Sequence, residues 1–336
     1  MSTSTTLLDL AAPLWRKHLT STHPIYKYGM AALCALALAT SAQGAAPQVK
    51  TQAPGFYRMM LGDFEVTALF DGVLDFNPKE LLTHTTHAQV DELLHRSFEG
   101  DKVPTSVNAY LINTGDKLVL IDTGAGETFG PGLNKLQSNL KLAGYQPEQV
   151  DMVLITHMHP DHLGGLFLEG KRMFPNAIVY AGKADAAFWL NEAEMNKVPT
   201  EKQKFFHDAQ SSMNPYVQAG KFKPILGDTQ LAPGITAVDA HGHTPGHTIY
   251  AVESKGQKLM LWGDLVHVAA VQFPEPQVTI EFDVDSNLAA VQRKKAYVEA
   301  AKGRYLVGSA HLPFPGLGHL RAARKGYEWV PVDYLP

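Results

Sequence analysis

With 336 residues, 45% of them hydrophobic and 18% charged, the chain is long enough for one large domain or two small ones, and no repeat or low-complexity tract divides it. Its formal net charge of −4 leaves no basic footprint, which argues against nucleic acid as substrate or partner.

The first 44 residues differ in kind from the rest. Arg16, Lys17 and Lys27 precede an apolar run at 30–39, and small residues follow at 41–46. This is the layout of a secretory signal peptide with a long n-region, so cleavage near Gly44 and a periplasmic or secreted protein are expected. A run of about ten residues is too short to span a bilayer, so no membrane attachment is expected once the leader is removed. Cys34, the only cysteine, lies inside that run. The mature chain is therefore expected to have neither a disulfide nor a thiolate metal ligand.

Residues 45–336 read as a single domain. The stretch 63–70 alternates as a strand ending at Asp71 and Gly72, and 87–98 reads as a helix. Two strand-like runs, 107–113 and 117–121, are joined by Thr114, Gly115 and Asp116, which is a hairpin signal. Apolar residues at 133, 136, 140 and 142 predict an amphipathic helix stopped by Gly144. A strand at 177–181 and a helix at 183–191 follow. The polar stretch 192–222, helical around 202–209, reads as an insertion on the rim of a site rather than as core. Strands return at 235–239, 248–252 and 258–262, then a helix at 287–301 capped by Asp285 or Ser286, then a last strand at 304–307. Strands in two blocks, each followed by helices, predict an α+β fold of two packed sheets with helices outside.

The chemistry is concentrated around residues 151–165. Val153, Leu154 and Ile155 form a short continuous apolar run, as in a strand covered on both faces. His157, His159, Asp161 and His162 follow within six positions. Residues two apart in an extended segment project to the same side, so His157 and His159 can close on one ion. Pro160 keeps His159 extended before the chain turns, Asp161 and His162 are then placed for a second ion, and Gly164 and Gly165 let the backbone pass close by. Such a mix of imidazole and carboxylate suits zinc, while manganese, cobalt or iron fit it as well. A second cluster, His241, His243 and His247, follows the strand at 235–239, and the spacing alone does not separate the three. Asp264 follows the strand at 258–262 and His311 the strand at 304–307. Each candidate lies just past a strand, where rigid scaffolds carry their chemistry.

His-x-His-x-Asp-His at 157–162 resembles the signature of the metallo-β-lactamase-fold hydrolases. The resemblance implies an αββα sandwich, and it makes His243 the ligand of the second cluster, with His247 supporting the turn. It also implies two divalent metal ions, zinc by default. His157, His159 and His243 would hold one ion, and Asp161, His162 and His311 the other. Asp264 would be shared, with a metal-bridging hydroxide as nucleophile oriented by Asp264 and Asp161. Across most of 45–334 the chain is similar to the bacterial methyl parathion hydrolases, with shared-looking segments at 53–58, 61–65, 144–150, 269–273 and 314–316. That family implies a homodimer and an aromatic entrance over the metals, matched here by Phe129, Trp189 and Phe205. Leu81, His267, Ile280 and Phe282 depart from its organophosphate-degrading pattern, and the rim insertion is one residue shorter. Acyl-homoserine lactonases carry a tyrosine three residues after the bridging aspartate, and His267 stands there to donate to substrate instead. The expected activity is opening of lactones or aryl esters with promiscuous hydrolysis of organophosphate triesters, all small-molecule substrates. The alternative is a dedicated phosphotriester hydrolase of the methyl parathion type. The β-lactamase subclass with a cysteine ligand is excluded by composition.

Overall fold

Fourteen strands form two seven-stranded sheets in which spatial order follows chain order. In the first, β1 (Phe56–Leu61), β2 (Phe64–Phe76), β3 (Val103–Asn113) and β4 (Leu118–Ile121) pair antiparallel. β5 (Met152–Leu154), β6 (Ile178–Gly182) and β7 (Phe222–Ile225) then continue parallel to β4. The second sheet contains β8 (Thr229–Ala232), β9 (Ile235–Asp239), β10 (Thr248–Ser254), β11 (Gln257–Leu261), β12 (Leu306–Gly308), β13 (Leu317–Ala322) and β14 (Tyr327–Pro331). Only β11 and β12 run parallel there. The coordinates are a computed structural model that describes residues 46–334, and the strands and helices above belong to one unit, Gln52–Pro336. The expected leader lies outside the described residues. Among those residues no helix is long and apolar enough to cross a membrane.

Side-chain alternation explains the layers. In β4, Val119 and Ile121 face the second sheet, where Tyr250, Val252, Leu259 and Leu261 meet them, while Leu118 and Leu120 face the opposite way. Both faces of this strand are covered, so its sequence reads as an unbroken apolar run. The outer face of the first sheet is covered by α2 (Leu136–Leu142), α4 (Lys183–Trp189) and α5 (Thr200–Gln218), and that of the second by α6 (Ser286–Gly303) through Ala296, Tyr297 and Ala300. The result is the αββα sandwich that the sequence predicts. α1 (His87–Arg96) packs instead over the site end, through Val90, Leu93 and Leu94 against Val268, Val271 and Val278.

Two expectations need correction. The strand predicted to end at Phe70 runs on to Phe76, because a bulge between Phe70 and Gly72 absorbs the turn-like residues. The buried Asp71 carboxylate at that bulge accepts the backbone N–H groups of Ala125, Lys135 and Leu136 at 2.9–3.0 Å, which anchors the loop after β4. The stretch 192–222 is not only a rim insertion. Its long helix α5 places Phe206, Ala209, Met213 and Tyr216, at helical spacing, in the core beneath the first sheet. Tyr216 Oη accepts from Phe174 N and donates to Leu166 O, both at 3.1 Å, which ties this helix to the loop beyond the histidine motif. Polar residues on its other face hide the pattern in the sequence.

Phe206→Ala is expected to lower unfolding free energy by about 3–5 kcal/mol, the usual cost of deleting a buried phenyl. Urea titration checks this, and a loss near the 0.5 kcal/mol typical of surface sites would return α5 to the rim.

Candidate metal centre

The four-residue helix α3 (Pro160–Leu163) starts immediately after β5 and its loop, with His159 extended at its N-terminus, as Pro160 requires. His157, His159, His162, His243, Asp264 and His311 are all buried. His157 Nε2 lies 2.9 Å from His159 Nδ1, which lies 3.1 Å from His243 Nε2. His162 Nε2 is 3.2 Å from Asp264 Oδ1 and 3.5 Å from Asp161 Oδ2, and His311 Nε2 is 3.3 Å from Asp161 Oδ2. Asp264 stands between the two groups: its Oδ2 is 3.3 Å from His243 Nε2 and 3.2 Å from His311 Nε2. Three sets of donors therefore converge closely enough to hold a cation: His157, His159, His243 and Asp264; Asp161, His162 and His311; and Asp264, His267 and His311.

Two observations test whether these residues fit a divalent cation. His162 Nε2 and Asp264 Oδ1 are buried, yet neither makes a hydrogen bond, although buried polar atoms normally do. The second is the field. Burial opposes charge on every ring, yet Asp264 and Asp161 hold His162 well above the usual histidine range and His311 at about 10, and Asp264 with Asp283 holds His243 at about 9. Carboxylates that draw a proton onto three buried rings draw a metal cation by the same attraction. His157 and His159 are pushed well below the usual range by burial and neighbouring rings, so both stay neutral donors. The donor set fits.

The rings are aimed from behind. His162 Nδ1 donates to Asp122 Oδ2 at 2.8 Å, His243 Nδ1 to Asp283 Oδ1 at 2.7 Å, and His311 Nδ1 to Ser106 O at 3.0 Å. Such partners fix which nitrogen faces a metal. Asp122 also takes Thr156 N and Thr156 Oγ1, each at 2.8 Å, so one carboxylate locks the strand end and the ring together. His247 is no candidate donor. Its Nδ1 donates to Ala240 O and its Nε2 accepts the Asp264 N–H at 3.1 Å, while burial lowers its pKa to about 3 and keeps it neutral. Gly263, at φ +54°, lets that contact form, since a Cβ there would lie 2.8 Å from His247 Nε2 and 2.9 Å from Thr156 Cβ. Asp185 joins the two histidine loops, accepting from Met158 N, Thr244 Oγ1 and Gly246 N at 2.6–3.0 Å. His241 faces solvent and pairs with Asp239 at 2.8 Å, away from the other donors.

This arrangement agrees with the comparisons to known proteins. A model of the metallo-beta-lactamase superfamily matches residues 103–301. The chain belongs to that superfamily. An N-acyl homoserine lactonase of Bacillus cereus is 23% identical to it over 255 residues, covering 70% of this chain and 89% of the lactonase. Among solved structures, AbOPH, a hydrolase in the beta lactamase superfamily, is 39% identical with a TM-score of 0.81, over 85% of this chain and 100% of that one. AidC, a dizinc quorum-quenching lactonase solved with the product N-hexanoyl-L-homoserine, is 28% identical with a TM-score of 0.75, over 84% and 99%. The protein is thus a metal-dependent hydrolase of the metallo-beta-lactamase superfamily.

In this member of the superfamily a two-chamber cleft leads to the donors. An inner chamber of about 60 Å³ is lined by Phe76, Phe129, Asp161, Asp264, His267 and His311. An outer one of about 300 Å³ is lined mainly by Phe188, Trp189, Val198, Phe206 and Val284, with Lys202, Glu281 and Asp283 as its charged residues, and the two share His159, Phe205 and Phe282. The expected entrance residues Phe129, Trp189 and Phe205 and the variant position Phe282 therefore all reach the cleft. Ile280 and Leu81 do not. Ile280 is buried and pairs with Leu82 in a two-stranded ribbon, and Leu81 packs beside it. The sequence does not reveal Asp122 and Asp283 as orienting groups or Asp185 as a loop anchor. Only Asp122 left a trace, in the Asp-Thr-Gly turn after β4.

Asp122→Asn is expected to weaken divalent-metal binding at the Asp161, His162 and His311 set about 10- to 100-fold, the range for loss of a group that orients a ligand. Competition with a chromophoric chelator measures it, and unchanged affinity would remove Asp122 from the centre.

Proposed function

We propose that the protein is a lactonase that binds two divalent cations, zinc by default, and opens lactones or aryl esters, with organophosphate triester hydrolysis as a side activity. The observation that carries this reading is Asp264, whose two oxygens face both donor groups at the floor of an apolar cleft. When bound, divalent cations acidify water to a pKa near 7 and polarise the oxygen of an ester or phosphoryl group. The chain supplies the rest. Asp264 and Asp161, both held well below the usual carboxylate range as His162 and other histidines outweigh burial, stay ionised to orient the nucleophile and receive its proton.

The inner chamber admits the reacting ester and little more, and the outer chamber takes an acyl or aryl group by apolar contact. His267 is buried beside this chamber, and burial lowers its pKa to about 4, so it carries one ring proton. Its Nε2 lies 3.0 Å from Asp264 Oδ2, its resting partner, and we assign that N–H to donation onto a lactone oxygen when substrate enters. The named activities of the lactonase relatives support the same reading. Likeness to methyl parathion hydrolases at 53–58 and 314–316 supports the dedicated phosphotriesterase as second reading, but an aliphatic residue in place of His267 belongs to that pattern.

A rate panel of aryl lactones, acyl-homoserine lactones, aryl esters and methyl parathion on metal-analysed protein tests the assignment; phosphotriester turnover above every lactone reverses it. His267→Leu is expected to lower lactone turnover more than phosphotriester turnover, and equal losses would leave His267 as a support for Asp264 alone. Asp264→Ala is expected to lose bound metal together with activity, whereas retained metal at near-normal rates excludes a shared carboxylate.

A further inference from the structure

Arg293, two turns into α6, is fully buried. A buried guanidinium is costly unless every part of it is occupied, and this one has no carboxylate within hydrogen-bonding distance. Its Nε donates to Leu265 O at 2.5 Å and its Nη1 to Val278 O at 2.6 Å and to Pro276 O at 3.4 Å, while Nη2 makes no hydrogen bond and lies 3.9 Å from Asp283 Oδ2. Those contacts are not scattered. Leu265 follows Asp264, the carboxylate between the two donor groups, and Asp283 holds the Nδ1 of His243. The remaining Asp283 oxygen takes the Ile280 N–H at 3.1 Å. The backbone closes the loop, since Val284 N and Asp285 N donate to His243 O and Gly242 O at 2.9 Å, and Asp285 then caps α6.

We propose that Arg293 is a positioning residue for the metal centre, acting through Asp283 on His243 and through the Leu265 carbonyl on Asp264. This rests on the reading of the donors as a metal site. Held by the backbone carbonyls of Leu265, Val278 and Pro276, the guanidinium has a fixed place, and it faces one oxygen of Asp283 while the other accepts from His243 Nδ1. The packing of α6 against the second sheet is thereby transmitted to one ligand ring and to the shared carboxylate. Arg293 lines neither chamber of the cleft, so it acts on metal and turnover rather than on substrate affinity. A lysine preserves the charge but cannot donate in two directions from a planar fork.

The test compares Arg293→Lys, Arg293→Met, Asp283→Asn and the double variant Arg293→Lys/Asp283→Asn with the parent protein. The readouts are divalent-metal affinity by chelator competition, the visible spectrum of the cobalt form, and kcat and KM on the best substrate. Circular dichroism confines the comparison to folded protein. Arg293→Lys is expected to bind metal about tenfold more weakly, the lower end of the range for lost orienting partners, with an altered cobalt spectrum, lower kcat and KM within about twofold. In the Asp283→Asn background the same replacement is expected to cost much less, the sign of a shared route. Parent-like affinity in folded Arg293→Lys, or an equal loss in both backgrounds, would overturn the proposal. If Arg293→Met fails to fold, the lysine pair decides alone. A parent protein that binds no divalent metal refutes the metal-site reading instead.

Discussion

Asp264 Oδ2 sits within 3.6 Å of the Nε2 atoms of four histidines, His157, His243, His267 and His311. One carboxylate oxygen cannot accept four hydrogen bonds, so a cluster this dense is stable only if something besides protons organises it. Everything around the cleft serves to keep these groups from relaxing apart. The fold contributes strand ends, because β5, β9, β11 and β12 stop at the same edge of the sandwich and release their polar loops there. Backbone placement alone would leave each ring free to turn, and the turning is stopped by a second circle of buried acceptors.

That second circle distributes charge as well as geometry. Asp122 and Asp283 each fix one histidine, while Asp71 and Asp185 hold only backbone and hydroxyl donors and so fix loops. Burial alone raises a carboxylate's pKa, and at Asp185, where hydrogen bonds and the charge on His243 offset it only in part, it reaches about 6. At Asp283, beside His243 and Arg293, the pKa is instead lowered, because those neighbours outweigh burial. Asp283 is thus stabilised as an anion beside the ring it orients, and the loop anchors farther out are supported by hydrogen bonds.

The donors were legible in the sequence because each carries a local signature: a spacing of two or three, a strand before it, a glycine or proline beside it. The sandwich was legible for a similar reason, since doubly covered strands such as β4 read as unbroken apolar runs. What escaped is single polar residues with no repeat around them. Asp185, Asp283 and Arg293 gain their roles only when elements far apart in the chain meet, and nothing adjacent in sequence marks them. The bulge that carries β2 past Asp71 was misread because the same residue types end strands elsewhere. The long helix at Thr200–Gln218 was only partly visible, because four core positions are spread among polar neighbours and a proline.

Phe205 and Phe206 are neighbours on that helix with different obligations. Phe206, like Trp189, belongs both to the cleft wall and to the core under the first sheet, whereas Phe205, Phe282 and Phe129 keep part of their surface in solvent. Reshaping the cleft at the first pair opens voids in the scaffold, whereas Phe205 and Phe282 only pack against the edge of core clusters and Phe129 is exposed. Evolutionary drift in what such an enzyme accepts is therefore channelled first through the three partly exposed rings, where a change of diet costs the architecture least.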